Sequence, residues 1–314
     1  MKKIKVAIVG AGICGLYLAW KLAERGFEVR VFEKKKEVGK KACSGLYSEE
    51  IFKFLPFARS LVENKINSCL VYFPKKTLRL SFLKKFFVIE RYKLDKNLLL
   101  LAERAGAKIF LNCPWPGKKD EHEYVIGCDG YDSFVRKSLG LASPSFFLGI
   151  QGFVRIEDFS DYVEVWPQRE GGFIWRIPRG KEIEYGVMGD VNKARAIFRN
   201  FLEKEKIQLE RIDSAIIPQG LSLSLHPRIA LCGNAAGLTK PWSGGGVIWG
   251  LRASDLLLEV FPNLAKGSKR IRKIFGPEIA LAKFLKKIVY FTGFKFPWFL
   301  PKEVKIDGDF FFRK

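Results

Sequence analysis

The sequence predicts an α/β fold in which a Rossmann-like dinucleotide-binding domain is interrupted by a second domain with a mostly antiparallel β-sheet. Residues 4–33 have the pattern of a strand, a glycine-rich turn, a helix and a second strand. Residues 146–190 contain runs with a period near two, as in longer antiparallel strands. Residues 228–246 return to a short apolar strand and a second glycine-rich turn. The first domain therefore opens the chain and is completed near residue 260.

The first glycine-rich turn has the spacing G-x-G-x-x-G, formed by Gly10, Gly12 and Gly15. It follows a β-branched, apolar run and precedes a helix predicted over 14–25. Ile13 and Cys14, at the junction of the turn and the helix, are expected to contact the bound dinucleotide. The first glycine permits a tight turn, the second lets a pyrophosphate approach the backbone, and the third lets the helix pack on the sheet. The N-terminus of that helix offers N–H groups and a positive dipole end to phosphate.

An acidic residue completes the predicted unit. Glu33 follows the second strand, predicted over 27–32, and Lys34 comes directly after it. A carboxylate at this distance from the glycines accepts hydrogen bonds from a ribose diol. The alternative is a secretory signal, because a basic N-terminus precedes the apolar run. The interrupting glycines, the lack of an A-x-A-like cleavage site and the need for the next strand favour dinucleotide binding.

The composition indicates a basic protein without a membrane-spanning run. The 314 residues are 48% hydrophobic, enough for one large core or two modest ones, and the formal net charge is +22. No apolar run reaches the ~18–20 residues of a membrane span. The charge predicts an anionic partner, and because no nucleic-acid motif accompanies it, we favour a membrane surface over nucleic acid. The alternative is a solvated surface that keeps a heat-adapted protein soluble.

Cysteine and histidine usage restricts the chemistry. The six cysteines form no C-x-x-C pair and no regular framework, which fits a reducing cytoplasm. Cys14, Cys128 and Cys232 fall inside predicted core elements, where a free thiol acts as a small hydrophobe. Only two histidines are present, so we expect neither a bound metal nor a Ser-His-Asp triad. We therefore expect a cytoplasmic protein, at most peripheral at a membrane.

Other segments have weaker signals. Ser48 is expected to cap a short helix, and residues 65–90 are expected to form three short strands separated by Pro74 and lysine pairs. A helix is predicted to begin at Arg91 and stop at Gly106. Further predictions are a strand over 124–128, helices over 193–204, 247–260 and 269–290, and an aromatic, basic tail after the last helix.

Three separated stretches resemble one group of flavoproteins, which includes aromatic hydroxylases and geranylgeranyl reductases. They are G-x-G-x-x-G with Glu33, the turn at Asp129-Gly130 in VIGCDGYDSFVRKSLG, and the turn at Gly233-Asn234 before PWSGGG. The resemblance implies FAD, with its ADP half on the first stretch and its ribityl and pyrophosphate portion near the third. It also implies the flavin's pyrimidine end beside the next helix start, and Arg91 near the cofactor. That helix start comprises Gly244, Gly245, Gly246 and Val247.

Two further stretches favour geranylgeranyl reductases over hydroxylases. KKACSGLYS, which contains Cys43, resembles their cysteine-glycine segment, and GGFIWRIPRG resembles their Y-x-W-x-F-P motif with conservative changes. The resemblance implies an FAD-dependent oxidoreductase that reduces isoprenoid C=C bonds of a membrane lipid, with a hydride from reduced flavin and a proton from a nearby donor. Cys43 is the candidate catalytic residue, with Lys40 and Lys41 adjusting its pKa. The expected substrate walls are Phe173, Trp175, Pro178 and Trp242.

The pattern of strands and helices along the chain also predicts a domain division. The FAD-binding domain is expected to comprise 1–64, 91–142 and 221–265, the substrate domain 65–90 and 143–220, and a C-terminal helix and tail 266–314. The chain is shorter than typical members of the family, so a larger C-terminal part is expected to be missing. Asn234 stands where the family has an acid. Two alternatives stay open: an FAD-dependent aromatic or polyketide-type hydroxylase, and a catalytically inactive flavin-binding protein that associates with membranes. The expected partners are a prenyl lipid, an electron donor and an anionic membrane surface, and no nucleic acid.

Overall fold

The computed structural model describes residues 3–39, 42–117 and 121–312. The strands within these ranges are β1 (Lys5–Val9), β2 (Glu28–Phe32), β3 (Leu46–Ser48), β4 (Val62–Phe73), β5 (Lys76–Ile89), β6 (Lys108–Phe110), β7 (Tyr124–Gly127), β8 (Ser145–Val154), β9 (Tyr162–Pro167), β10 (Phe173–Pro178), β11 (Ile183–Gly189), β12 (Arg211–Gln219), β13 (Ile229–Leu231) and β14 (Glu303–Ile306). The α-helices are α1 (Ile13–Glu24), α2 (Ile51–Phe54), α3 (Arg91–Arg104), α4 (Phe134–Ser138), α5 (Ala194–Lys204), α6 (Val247–Leu258) and α7 (Leu264–Lys295). Short 3₁₀ helices cover Pro56–Leu61, Gly233–Ala236 and Pro297–Phe299.

The chain divides into two compact units, each assembled from three segments. The first unit comprises Met1–Lys40, Tyr92–Ser145 and Pro218–Ile279, and the second comprises Lys41–Arg91, Phe146–Ile217 and Ala280–Lys314. Two boundaries differ by more than three residues from those of the predicted domains. The residues just after Lys41 belong with the second unit because β3 pairs with β5, and β4 is the hairpin partner of β5. The C-terminal residues form no separate unit, because α7 begins in the first unit and ends in the second.

The first unit is built on a parallel five-stranded sheet in the order β13-β7-β1-β2-β6. Strand β1 lies at its centre and is buried over Val6–Val9, as its continuous apolar run predicts. Helices α1 and α6 pack closely because Gly250 has no side chain: a Cβ there would lie 2.5 Å from the Cys14 Sγ. The Tyr17 hydroxyl joins the same two helices by donating to the Asp255 carboxylate over 2.7 Å. The carboxyl ends of β1, β7 and β13 therefore meet at one edge, which carries the glycine-rich turns.

The second unit contains a nine-stranded sheet in the order β12-β8-β11-β10-β9-β4-β5-β14, with β3 also paired to β5. The meander β8 to β11 is largely antiparallel, as predicted, whereas β4–β9 and β5–β14 are parallel pairs. The prediction of three short strands over 65–90 is wrong, because the two long strands β4 and β5 form one hairpin. The pair Lys84-Lys85 lies within β5, where Lys84 forms ion pairs with Glu50 and Asp307 at 3.1 and 3.0 Å.

Helices cover both faces of the second sheet. On β10, Ile174 contributes to a core cluster with Ala194 and Phe198 of α5, and Ile177 contributes to another, against which Val289 and Phe294 of α7 pack. The alternation of side chains along a strand places Ile174 and Ile177 on opposite faces. The predicted cap at Ser48 is wrong, because this residue ends β3 and the residue before α2 makes no side-chain cap.

Most predicted elements agree with the structure to within a few residues. The C-terminal helix is the largest exception: α7 extends beyond both predicted ends, from Leu264 to Lys295, and tolerates Pro277 within it. Across the residues described above, no helix combines the length and the apolar character needed to cross a bilayer. In the same ranges, no group of three or more histidine, cysteine, aspartate or glutamate side chains could hold a metal ion.

Candidate cofactor cradle and cysteine segment

The turn after β1 has three glycines with three different surroundings. Gly10 has φ +102°, and a Cβ there would lie 2.5 Å from the Cys128 carbonyl oxygen. A Cβ on Gly15 would lie 2.0 Å from the carbonyl oxygen of Gly10. Gly12 precedes α1, and its hypothetical Cβ meets no described atom within 4 Å. Gly10 and Gly15 thus serve the close packing of turn, strand and helix, whereas Gly12 leaves open space in front of the helix N-terminus.

Glu33 closes this turn from the end of β2. Its carboxylate accepts hydrogen bonds from the backbone N–H of Ala11 at 2.8 Å and from that of Lys35 at 2.9 Å. These two bonds hold the carboxylate beside the glycine turn, at the position the sequence predicts for a ribose contact. Each carboxylate oxygen can accept a second hydrogen bond. The side chain of Lys34 is exposed.

The turn after β7 is organised by a buried carboxylate. One oxygen of Asp129 accepts hydrogen bonds from Phe134 N and Val135 N at 2.7 and 3.2 Å, which satisfies donors at the start of α4. The other oxygen is buried and has no hydrogen-bond partner among the described atoms. Burial raises the pKa of Asp129 above its usual range. Gly130 has φ +83° and open space around its hypothetical Cβ, so this turn also exposes backbone.

The turn after β13 brings Asn234 to the start of α6. Gly233 has φ +61°, and a Cβ there would lie 2.9 Å from the Cys14 Sγ. Gly246 precedes α6, and its Cβ would lie 2.8 Å from the Leu238 carbonyl oxygen and 3.4 Å from the Asn234 Oδ1. The asparagine side chain therefore lies beside the N-terminus of α6, and its contact with the ribityl region of a cofactor stays a prediction.

The glycine run before α6 is held by backbone hydrogen bonds. Gly244 N donates to Lys240 O at 2.8 Å, and Lys240 N donates to Gly245 O at 3.0 Å. Gly244 adopts φ +71°, which favours glycine. Helix α6 then begins at Val247 with no side-chain cap at Gly246. The first N–H groups of α6 lack intrahelical partners by geometry, so they are suited to an anionic or carbonyl-rich edge of a ligand.

Sequence reasoning missed one residue that joins two of these turns. Arg136 of α4 is fully buried, and its guanidinium donates to the carbonyl oxygens of Ala235 and Tyr131 and to the Ser143 hydroxyl. It thereby ties the turn after β7 to the turn after β13. The available signal was an arginine inside the otherwise apolar start of a helix directly after the Asp129-Gly130 turn.

The cysteine segment belongs to the second unit and is held by side chains rather than by glycines alone. The Cys43 Sγ lies 3.4 Å from the Tyr47 hydroxyl and 3.9 Å from Nη1 of Arg91. Gln151 donates to the Cys43 carbonyl oxygen at 3.5 Å. Arg91 is buried at the start of α3, beside the thiol. Lys40 and Lys41, expected to adjust the Cys43 pKa, lie outside the described residues.

The neighbouring backbone is pinned by a buried ionic network. Arg179 donates to Ser44 O at 2.6 Å and forms ion pairs with Glu184 at 2.9 Å and with Glu63 at 2.8 Å. Glu184 is fully buried and also accepts a hydrogen bond from the Trp175 indole at 2.9 Å. Burial raises the pKa of Glu184 to about 6, with Arg179 limiting the rise. Sequence reasoning did not single out Arg179 or Glu184.

The predicted substrate walls fall in both units. Phe173 and Trp175 lie together on β10 with ring centroids 5.8 Å apart, and Pro178 ends the same strand. Trp242 belongs to the first unit, where its ring centroid lies 5.9 Å from that of Trp249. The structure thus brings together the three residues of the aromatic motif on one strand. Their contact with a substrate stays a prediction.

The chain is similar in sequence to known proteins. The NAD(P)-binding Rossmann-like domain family matches residues 8–56. Digeranylgeranylglycerophospholipid reductase of Thermoplasma volcanium is 27% identical over 79% of this chain and 75% of its own length. Geranylgeranyl diphosphate reductase of Arabidopsis thaliana is 24% identical over 91% of this chain and 70% of its own length.

Solved structures show the same fold. A geranylgeranyl bacteriochlorophyll reductase-like protein of Thermoplasma acidophilum aligns with a TM-score of 0.76 at 21% identity, over 93% of this chain and 88% of its own. The oxygenase of 2-methyl-3-hydroxypyridine-5-carboxylic acid aligns with a TM-score of 0.73 at 19% identity, over 94% of each chain. The predicted fold class is confirmed. The comparisons also confirm the resemblance to the geranylgeranyl reductases, and so to enzymes named as reductases, that the sequence motifs predict.

Proposed function

We propose that the chain is an FAD-dependent oxidoreductase that reduces isoprenoid C=C bonds of a membrane lipid. The observation that carries the proposal is that the same chain contains a dinucleotide cradle, in the first unit, and the Cys43 segment, in the second. The relatives support the substrate class, because several are named as reductases of geranylgeranyl lipids. The fold supports a flavin, because a flavin-dependent halogenase shares it with a TM-score of 0.66.

The residues of the cradle fit FAD. The open space at Gly12 lies before the N-terminus of α1, where a pyrophosphate would accept backbone hydrogen bonds. Glu33, fixed by two backbone N–H groups, would accept hydrogen bonds from the adenosine ribose. Asn234 would contact the ribityl portion, and the N-terminus of α6 after Gly246 would meet the pyrimidine end of the ring. When bound and reduced by an external electron donor, FAD would supply the hydride for the double bond.

The chain's own residues would handle the proton and exclude water. Reduction of an unactivated alkene needs a proton at the second carbon, since no carbonyl stabilises the charge there. Cys43 is the proposed donor, with its thiol kept in place by Tyr47, Arg91 and the backbone contacts of its segment. Phe173 and Trp175 would form an apolar wall against the prenyl chain, and the Glu184 carboxylate fixes the indole orientation.

Because the proposed substrate is a membrane lipid, the protein would have to act at a membrane surface. We propose peripheral association with an anionic membrane surface, in keeping with the net charge of +22. The cycle also needs an external electron donor.

An anaerobic reoxidation experiment tests the proposed activity. The protein is loaded with FAD, reduced with dithionite without oxygen, and mixed with a digeranylgeranyl lipid in detergent. We expect the flavin absorbance to return together with a lipid product that is heavier by two hydrogens per reduced bond. A protein that is reoxidised only by oxygen and yields a hydroxylated aromatic product would establish the hydroxylase alternative instead. A protein that cannot be loaded with any flavin would overturn the assignment to this class of enzymes.

A further inference from the structure

We propose that the second half of α7 and the 3₁₀ turn after it form a docking face for an anionic lipid surface. This inference rests on the proposed function only for its biological purpose, because the surface is defined by exposure and charge. The docking face comprises six exposed apolar residues: Phe284, Ile288, Phe291, Phe296, Trp298 and Phe299.

The first half of the docking face follows helical periodicity. Phe284, Ile288 and Phe291 recur at intervals of four and three residues, so they form one stripe along α7. Their exposed fractions are 61, 43 and 60%. Large apolar side chains on a single stripe of an amphipathic helix normally face a core. Here the stripe faces solvent.

The other side of the same helix segment is already packed, which fixes the outward orientation of the stripe. Gly293 lies directly on the Phe73 ring, and Phe294 packs on that ring with centroids 5.4 Å apart. The Tyr290 hydroxyl donates to the Gly172 carbonyl oxygen at 2.6 Å. The aromatic residues of the tail therefore divide into two groups. One group packs on the second sheet, and the docking face does not.

The second half of the docking face is a cluster of rings that contact mainly one another. The ring centroid of Phe296 lies 5.6 Å from that of Phe291 and 5.7 Å from that of Trp298. The ring centroids of Trp298 and Phe299 lie 6.1 Å apart. Trp298 and Phe299 are nonetheless 67 and 74% exposed. Contiguous exposed apolar patches mark interaction sites in soluble proteins.

Charge identifies the occupant as an anionic surface. From residue 279 to residue 302 the chain contains five lysines and no aspartate or glutamate. Lys283, Lys287 and Lys295 lie on the exposed part of α7, and Lys302 is exposed just after it. Aromatic rings insert at the boundary of head groups and acyl chains, and lysines near that surface attract anionic lipid. The combination fits an anionic membrane better than a neutral apolar partner, which would gain nothing from the lysines.

Vesicle flotation of the full-length, FAD-loaded protein tests this proposal. Vesicles of phosphatidylcholine alone are compared with vesicles containing phosphatidylglycerol. A triple variant, Lys283→Gln, Lys287→Gln and Lys295→Gln, is expected to bind anionic vesicles roughly 100-fold more weakly at low salt. The pair Trp298→Ser and Phe299→Ser is expected to weaken binding at least about tenfold, including at high salt.

Matched controls use residues outside the docking face. Phe159→Ser removes a phenylalanine that is 65% exposed, and Lys204→Gln removes an exposed lysine of α5. Both are expected to float like the parent protein, and all variants are checked for an unchanged melting temperature. Equal flotation of parent and variants, or none for the parent, would overturn the proposal. So would a protein that dimerises through these residues without binding vesicles. Because flotation needs no prenyl substrate, its outcome is separate from that of the proposed reaction.

Discussion

The dinucleotide cradle of the first unit and the cysteine segment of the second are held in place by different means. The cradle is set by backbone: Gly10 and Gly15 leave no room for a Cβ, and the open space at Gly12 faces a helix N-terminus. The cysteine segment is set by side chains, chiefly Arg179 and its buried carboxylate partner. The comparison teaches that a turn whose geometry is fixed by backbone packing is visible in sequence spacing, whereas a segment held by a buried ionic network is not.

The largest expected effect comes from alanine substitutions at the three glycines of the turn after β1. These substitutions should separate Gly10 and Gly15 from Gly12. Gly10→Ala and Gly15→Ala place a Cβ within 2.5 Å of backbone oxygens, so we expect a loss of about 3 kcal/mol or more in the free energy of unfolding. Gly12→Ala is expected to keep the melting temperature and to weaken FAD binding. Thermal unfolding with and without FAD measures both quantities. Parental FAD affinity in Gly12→Ala would contradict the role of the open space.

Arg179→Met probes the side-chain network of the second unit. It leaves the carboxylate of Glu184 buried without its cation, which typically costs about 3–5 kcal/mol. Adding Glu184→Gln removes that charge, so the double variant should be more stable than the single one. Chemical denaturation of the three proteins measures the difference. If the double variant is as unstable as Arg179→Met alone, the unpaired charge of Glu184 is not the cause of the lost stability.

Cys43→Ser tests whether Cys43 takes part in the reaction or only packs against its neighbours. The hydroxyl preserves a small polar group beside Tyr47, so the FAD content should not change. We expect reoxidation by the prenyl lipid to slow about 100-fold, as for removal of a proton donor. Cys113→Ser, which changes a half-exposed cysteine of the first unit, serves as the control. An unchanged rate in Cys43→Ser would leave Cys43 as a packing residue.

The sequence predicted the cradle far better than the cysteine segment, for physical reasons. A turn that requires glycines directly before a helix produces a characteristic spacing of residues. The segment from Gly10 to Glu33 and the turns at Asp129 and Gly233 could therefore be recognised in the sequence. The contacts of Arg179 join residues that are more than 100 positions apart, such as Glu63, and no local pattern records them. The guanidinium of Arg136 likewise reaches a distant residue, Ala235, 99 positions along the chain.

The buried carboxylate predicts a pH dependence of stability. The pKa of Glu184 is raised from 4.5 to about 6, so the folded state holds its proton more tightly than the unfolded state. The contribution of this group to stability therefore decreases as the pH rises from about 4.5 to about 6, by about 2 kcal/mol. Subtracting the unfolding free energies of Glu184→Gln from those of the parent across this range isolates the effect. A flat difference would contradict the raised pKa.

The smallest effect is expected at Glu33. Glu33→Ala removes the proposed ribose acceptor, so FAD should bind about tenfold more weakly, which corresponds to about 1.4 kcal/mol. Glu37→Ala, an exposed change in the same loop, is the control. Fluorescence titration with FAD measures both. Equal affinity in the parent and Glu33→Ala would remove Glu33 from the cofactor site.

The visible absorbance spectrum of the purified protein is the simplest decisive test, because the proposed reaction depends on FAD in the cradle. We expect the spectrum of oxidised flavin, either as purified or after incubation with FAD. Denaturation should release one FAD per chain, and Gly12→Ala prepared in the same way should contain much less. A parent protein that stays colourless and retains no FAD after reconstitution would contradict the account.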